Sequence, residues 1–413
     1  VIRFGRGLAA GSVALVMVLA GCTSERGGGS DDGGGTGGTP AAAPTGTPLL
    51  IGYVTQENSA LGSFPETRVA ANAAAAYANA ELNGVKGRPI KLVTCATNGS
   101  PESSQDCANK LVAQKPVAVV GGIDIAAETA MKIYETAGIP YVSGSPQLNG
   151  ELNSPNSYSL AGGTVAELLG ITDYLTSVKK VRSVHALYVD LPGLLTIAIN
   201  SAKSILTAKG VTDVKLVAEK ADAADFAPAL SNVASGNPDA IVVIFQAQAC
   251  ARIVQAASAL NIQAPMYLIG SCASPAVAKA AGGQTDNLIF ASGYQPVTDD
   301  DKDPVAAAFA ERVPADQRTS GSEGSFSAVL VVRDLLEELA DPTPAALITA
   351  LKATKDHPNV LAHPFTCDNQ QVPLLPSICN ASVRLLTWNG KGFADLTGDW
   401  LNGSQLVNLT TGG

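Results

Sequence analysis

Histidine occurs three times in these 413 residues, at His185, His357 and His363, too far apart in the chain to form a zinc motif. Cys-x-x-Cys, His-Glu-x-x-His, a Gly-x-Ser-x-Gly elbow and a phosphate-cradling glycine loop are all missing. No metal, cofactor or ordinary catalytic centre is therefore expected. Basic residues are outnumbered, 27 Lys and Arg against 36 Asp and Glu, and the formal net charge is −9. That balance argues against nucleic acid or an anionic membrane face as an electrostatic partner, because both need basic patches. Aromatic residues make up only 5% of the chain, so its core must come from the aliphatic residues that dominate its 46% hydrophobic content. The one long apolar run, residues 8–20, is too short for an ordinary membrane span.

The most informative stretch is 117–147, VAVVGGIDIAAETAMKIYETAGIPYVSGSPQ. Residues 117–120 read as a buried strand ending at Gly121-Gly122. Apolar spacing over 125–137 predicts a helix, with Gly138 at its C-cap and Pro140 barring continuation. A strand over 139–142 then opens into Ser143-Gly144-Ser145-Pro146-Gln147. Strand, loop, helix, strand, loop is one βαβ unit, and ligands of open α/β sheets bind beyond the carboxyl ends of the strands.

The same beat runs along the chain. Strands are expected at 48–55, 90–93, 183–189, 214–218, 239–245, 266–269 and 288–292. Helices are expected at 66–82, 103–114, 164–178, 194–209, 226–234, 250–260, 303–312, 324–339 and 344–353. The rhythm restarts near residue 163, which fits two tandem α/β lobes better than one large sheet. From His363 short strands and turns take over, at 365–367 and 383–389. A chain that crosses between two lobes more than once is a hinge architecture.

At the N-terminus, Arg3 and Arg6 precede the apolar run, which ends in Leu19-Ala20-Gly21-Cys22. This resembles a bacterial lipoprotein signal peptide of residues 1–21, which implies that Cys22 becomes the lipid-bearing N-terminus; a plain secretory leader is the alternative. Residues 22–48, mostly Gly, Ser, Thr, Asp, Ala and Pro, read as a flexible tether. The other six cysteines are Cys95, Cys107, Cys250, Cys272, Cys367 and Cys379. Export to an oxidising space makes disulfides the expectation, and pairing in sequence order is favoured among the connectivities that six cysteines allow.

Further residues carry a family resemblance: Leu82-Asn83-Gly84 closing an Ala-rich helix, and Gly87-Arg88-Pro89-Ile90-Lys91-Leu92 before the second strand. Cys107-Ala108-Asn109-Lys110, Ile133-Tyr134-Glu135-Thr136-Ala137-Gly138-Ile139-Pro140 and Trp388-Asn389-Gly390-Lys391-Gly392 complete the ordered set. Over about 49–400 the chain resembles the type I solute-binding proteins of ABC importers, in the branched-chain amino-acid-binding branch. The resemblance implies an α/β fold of two Rossmann-like lobes joined by a multi-crossover hinge. Lobe one would be 49–160 plus 294–363, and lobe two 161–293 plus 364–400, with 401–413 a tail. It also implies a monomeric, lipid-anchored extracytoplasmic receptor that passes a small molecule to a permease and its ATPase subunits.

Site residues follow by loop position. In that family serines after the third strand take a ligand carboxylate; the matching place here is Asp124-Ile125-Ala126. Ser145 and Gln147 match the loop after the fourth strand, and Gln246 and Gln248 a lobe-two contact. The family's lobe-two tyrosine would fall in residues 190–193 and its ammonium-binding acid near 270–273, and this chain has neither. These departures argue against an ordinary α-amino acid as ligand.

Asp124 has a plainer reading as a helix N-cap. If it instead faces the ligand, it disfavours an anion, since two carboxylates 4 Å apart repel by about 4 kcal/mol at an effective dielectric of 20. Gln246 and Gln248 offer amide donors and acceptors together, or are merely a solvated strand end. Phe64 and Tyr294 are candidates for stacking on a ligand or for the core, and Asn58, Asp190 and Ser274 are placed on the cleft by loop analogy alone. A secreted hydrolase is the competing class: Ser177 and Lys180 have Ser-x-x-Lys spacing, but the elements that accompany it in penicillin-recognising enzymes are absent. A ligand-sensing lipoprotein of the same fold, without a transporter, is the other alternative.

Overall fold

In a computed structural model, residues 43–59, 62–147, 149–190 and 196–411 are described. The leader, the lipidation expected at Cys22 and nearly all of the tether lie outside these residues. The first run of elements is β1 (Leu49–Gln56), α1 (Pro65–Glu81), β2 (Ile90–Thr97), α2 (Pro101–Ala113), β3 (Ala118–Gly121), α3 (Glu128–Ala137), β4 (Tyr141–Ser143), α4 (Asn149–Asn153) and β5 (Ser157–Ser159). Its five strands form one parallel sheet in the order β2-β1-β3-β4-β5.

The second run is α5 (Gly163–Asp173), β6 (Ser183–Val189), α6 (Thr196–Ala208), β7 (Asp213–Glu219), α7 (Ala227–Ala234), β8 (Ala240–Ile244), α8 (Ala247–Ala259), β9 (Met266–Leu268), α9 (Pro275–Ala280) and β10 (Leu288–Ser292). Three helices follow, α10 (Pro304–Arg312), α11 (Ser320–Glu338) and α12 (Pro344–Ala353), then β11 (Arg384–Trp388), β12 (Phe393–Asp395) and α13 (Asn408–Thr411). The second sheet has seven strands in the order β12-β11-β10-β9-β8-β6-β7. It is parallel except at the β10–β11 and β11–β12 pairs.

Helices α10 to α12 return to the first sheet. Their Phe309, Phe326, Leu330 and Leu347 share a core with Tyr53, Val120 and the buried face of α1. That face is built from Ala70, Ala74 and Ala78, all fully buried. Small side chains there let α11 lie close against α1, and Phe326 fills the space between Tyr77 and Phe309. A separate core of Val, Ile, Leu and Phe residues from β6, β8, β9 and β10 is sealed by α7 and α8. The chain thus passes between the two sheets three times, after β5, after β10 and between α12 and β11.

Two expected details shift. The helix expected from residue 125 starts at Glu128, because Ile125, Ala126 and Ala127 form a turn first. It does end at Gly138, in the left-handed region at φ 66°, where a side chain would be strained. The strand expected at 365–367 is only an isolated bridge between His357 and Phe365. Residues after 400 pack down: Leu401 bridges Val383 and Leu406 is buried beside Leu169.

All three disulfides pair in sequence order, Cys95–Cys107, Cys250–Cys272 and Cys367–Cys379. The first ties β2 to α2, and the second ties α8 to the turn after β9.

Candidate binding cleft

The loops that follow β1, β3 and β4 leave the first sheet at one edge, and those after β8 and β9 leave the second. A small gap between them is lined by Ile123, Ser145 and Gln147 from the first set and by Gly270 and Ser271 from the second. Glu167 of α5 and Tyr294 of the second crossover close its floor. Outside the residues that line it, Gln248 Nε2 donates to the Ser63 carbonyl at 3.3 Å, joining the loop after β1 to the first turn of α8.

The candidate residues separate into three groups. Ser145, Gln147 and Tyr294 line the gap. Gln147 is fixed by its own loop: its Nε2 donates to Ser145 O at 2.9 Å and its backbone N–H to Glu151 Oε2 at 2.9 Å. The Tyr294 hydroxyl donates to the Gly144 carbonyl at 2.5 Å, so the ring is buried as a brace and does not stand free to stack.

Gln246 and Gln248 stand at the start of α8 and are not among the residues that line the gap. Gln246 Oε1 is buried and has no donor among the described residues. Ile125 is half-buried, and its N–H points to Gln56 Oε1 at 3.4 Å.

The third group is engaged elsewhere. Asp124 is buried, with Ser104 Oγ donating to Oδ2 at 2.6 Å and the Ala126 N–H to Oδ1 at 3.1 Å. It shapes the turn ahead of α3 without capping the helix, whose N-cap is Ala127. Burial pushes its carboxyl above the usual range, and the hydrogen bonds from Ser104 and Ala126 pull the other way. Ser274 caps α9, accepting from Val277 N–H at 3.3 Å. Phe64 is buried where the chain enters α1. Asn58 is exposed, as is Asp190, whose N–H bonds Glu219 O; residues 191–193 lie outside the described set. Ser177, the hydrolase candidate, is exposed and donates to Asp173 Oδ1.

Sequence reasoning passed over two contributors. Gln56 ends β1 fully buried, its Nε2 donating to Gly62 O at 2.7 Å and so shaping the loop after β1. Glu167 lies on α5, yet its Oε2 accepts the Gly270 N–H at 2.9 Å. The loop after β9, which has no acid of its own, thus receives a carboxylate from another element. Burial holds the Glu167 carboxyl up at about 7, against the Gly270 hydrogen bond, which lowers it. A signal was present in both places: one polar residue at the end of an apolar strand, and one carboxylate within the apolar run Thr164-Val165-Ala166-Glu167-Leu168-Leu169.

Comparison with known proteins bears on this architecture. The sequence matches the periplasmic binding protein family over residues 48–379. The chain belongs to that family. No curated relative matches the sequence.

Among solved structures, the branched-chain amino acid transporter substrate-binding protein LivJ of Streptococcus pneumoniae, in complex with isoleucine, superposes with a TM-score of 0.70 at 19% identity. The match covers 86% of this chain and 99% of that one. A fatty acid ABC transporter substrate-binding protein from Thermomonospora curvata gives 0.74 at 16% identity, over 88% and 94%. The leucine-binding protein LivK of Thermotoga maritima gives 0.70 at 16%, over 86% and 99%. At such identities the likeness is one of fold. This periplasmic binding protein therefore has the two-lobe type I architecture, in a family of binding proteins rather than enzymes.

Proposed function

We propose that this chain is an extracytoplasmic receptor, tethered by lipid at Cys22, that captures a small polar solute between its lobes for an ABC importer. The observation that carries the reading is the pairing of polar loops from both sheets across one gap, with a hydrogen bond from Gln248 to Ser63 also linking the two sets. Family membership and the transporter proteins of the same fold support it. Ligand contacts to both loop sets favour the closed arrangement by their differential affinity.

The ligand in this reading carries at least one hydrogen-bond donor, N–H or O–H. Ser145 and Glu167 offer acceptor oxygens in the gap, and the unpaired Gln246 Oε1 at the start of α8 also needs a donor. Asp124 drops out as a selector of cations, because both its oxygens already hold donors within the first lobe. An amide or another small polar solute fits these groups.

A thermal-shift screen of amides, amino acids, polyols and sugars tests this. A ligand at 100 times its dissociation constant should add about 2.7 kcal/mol and raise Tm by several degrees. Small-angle scattering with the best ligand should then show compaction. A tight ligand that leaves the radius of gyration unchanged would contradict capture between lobes, and hits confined to molecules with neither N–H nor O–H would contradict the role of Gln246.

A further inference from the structure

A second, larger cavity of about 570 Å³ lies on the other flank of the second crossover. Its volume falls within the range of small-molecule sites. None of the loops after β1, β3, β4, β6 or β8 contributes to it. One wall is the edge of the second sheet, with Trp388 of β11 and Phe393 of β12 meeting edge to face at 5.1 Å. The opposite wall is the segment after the crossover and the first turn of α11, including Glu323.

Glu323 is the buried charge-bearing group of this cavity, only 8% exposed. Its carboxylate accepts the Val297 N–H, and among the described residues no cation pairs with it. Arg318, which also lines the cavity, is engaged elsewhere: it pairs with Asp299 and donates to the carbonyls of Val313 and Ala310. Asp300 and Asp316 stand exposed on the same wall, while Lys279 and Lys391 stand exposed on the opposite one. The wall that holds Glu323 therefore carries surplus negative charge and faces the aromatic pair Trp388 and Phe393. Burying a carboxylate without a counter-ion is costly, and a cation arriving beside it relieves that cost.

We propose that this cavity is a second ligand site, for a small organic amine whose ammonium meets Glu323 while its apolar body lies against Trp388 and Phe393. The site adjoins the loop-lined gap, with which it shares Ser320, but its Glu323, Trp388 and Phe393 do not line that gap. Because its two walls belong to different lobes, an occupant would also bias how far the lobes part.

Burial lifts the Glu323 carboxyl to about 8, so at pH 7 the empty site holds it mostly protonated. An ammonium ion bound beside it favours the carboxylate, so binding should expel a proton to solvent.

Calorimetric titration of the whole protein at pH 7, in two buffers of different ionisation enthalpy, tests the assignment. The probes are 2-phenylethylamine, agmatine and putrescine, with 2-phenylethanol and 3-phenylpropionate as neutral and anionic controls. At least one amine should bind with release of about one proton, and Glu323→Gln should weaken it roughly tenfold and abolish the release. Glutamine preserves the shape of the protonated acid, and near-ultraviolet circular dichroism checks that the variant folds. Asp316→Asn, on the exposed rim, should weaken the amine less. The proposal is overturned if no amine binds, if the alcohol binds as well as the amine, or if Glu323→Gln binds normally. Tightest binding of the carboxylate would also overturn it and assign the cavity to Lys279 and Lys391.

Discussion

Stability should fall by several kcal/mol as the pH rises from about 5 to about 9, the reverse of ordinary acid denaturation. Burial raises Glu151 and Glu167 to about 7 and Glu323 to about 8, from an ordinary value of 4.5. The folded-state pKa is higher than the unfolded one in each case. Between the two values the folded chain holds a proton that the unfolded chain has released. The stabilising contribution is therefore complete below about pH 4.5 and is lost as the pH climbs through 7 and then 8. Each shift corresponds to on the order of 3 kcal/mol, the Glu323 shift being the largest. Asp239 works in the opposite sense, its carboxyl lowered by the N–H groups of Arg182 and Ser183, but it is exposed and its contribution is small. Urea midpoints at pH 5, 7 and 9 decide the matter. A flat or rising series would mean that these glutamates are not buried as described, and Glu323→Gln should flatten the alkaline limb.

Gly163→Ala should destabilise the fold by about 3 kcal/mol or more. Gly163 opens α5 directly after the first crossover, at φ 55°. A Cβ there would lie 2.2 Å from the Pro146 carbonyl oxygen, a backbone atom with no rotamer to escape into. The left-handed conformation costs an alanine about 1–2 kcal/mol, and forced overpacking adds roughly 1–3. Pro146 belongs to the loop that carries Ser145 and Gln147, so relief of the clash must move that loop away from α5. Affinity for whatever ligand the thermal screen identifies should fall along with stability. Equilibrium unfolding and one titration measure both, and a variant with wild-type values would show that the first crossover has slack.

The alternation of strand and helix was legible because it is written in local signals. Gly138 marked a helix end through backbone geometry that only its own residue controls. The three disulfides were legible because each closes a short loop. The start of α3 was not, since the turn at 125–127 is set by Asp124 bonding to Ser104, twenty residues back on α2. The same contact redirects Asp124 from the cleft to the interior of its lobe. Glu167 escaped notice for a related reason: loop analogy searches for an acid in the loop that uses it, whereas this one arrives from the preceding crossover helix. Nor could periodicity show that α11 returns to α1 across some 240 residues, since the alanine face of α1 is as compatible with solvent as with another helix.

Each disulfide joins cysteines at most 22 positions apart in sequence, and none links the elements of one sheet to those of the other. A chain emerging from an export channel can therefore acquire its covalent bonds one after another, each as soon as its own segment is out. Oxidation then has no need to wait for the C-terminal strands, and no thiol has to find a partner across the hinge. Once made, two of the bonds stiffen their own halves, and the third, Cys367–Cys379, braces the last passage between them.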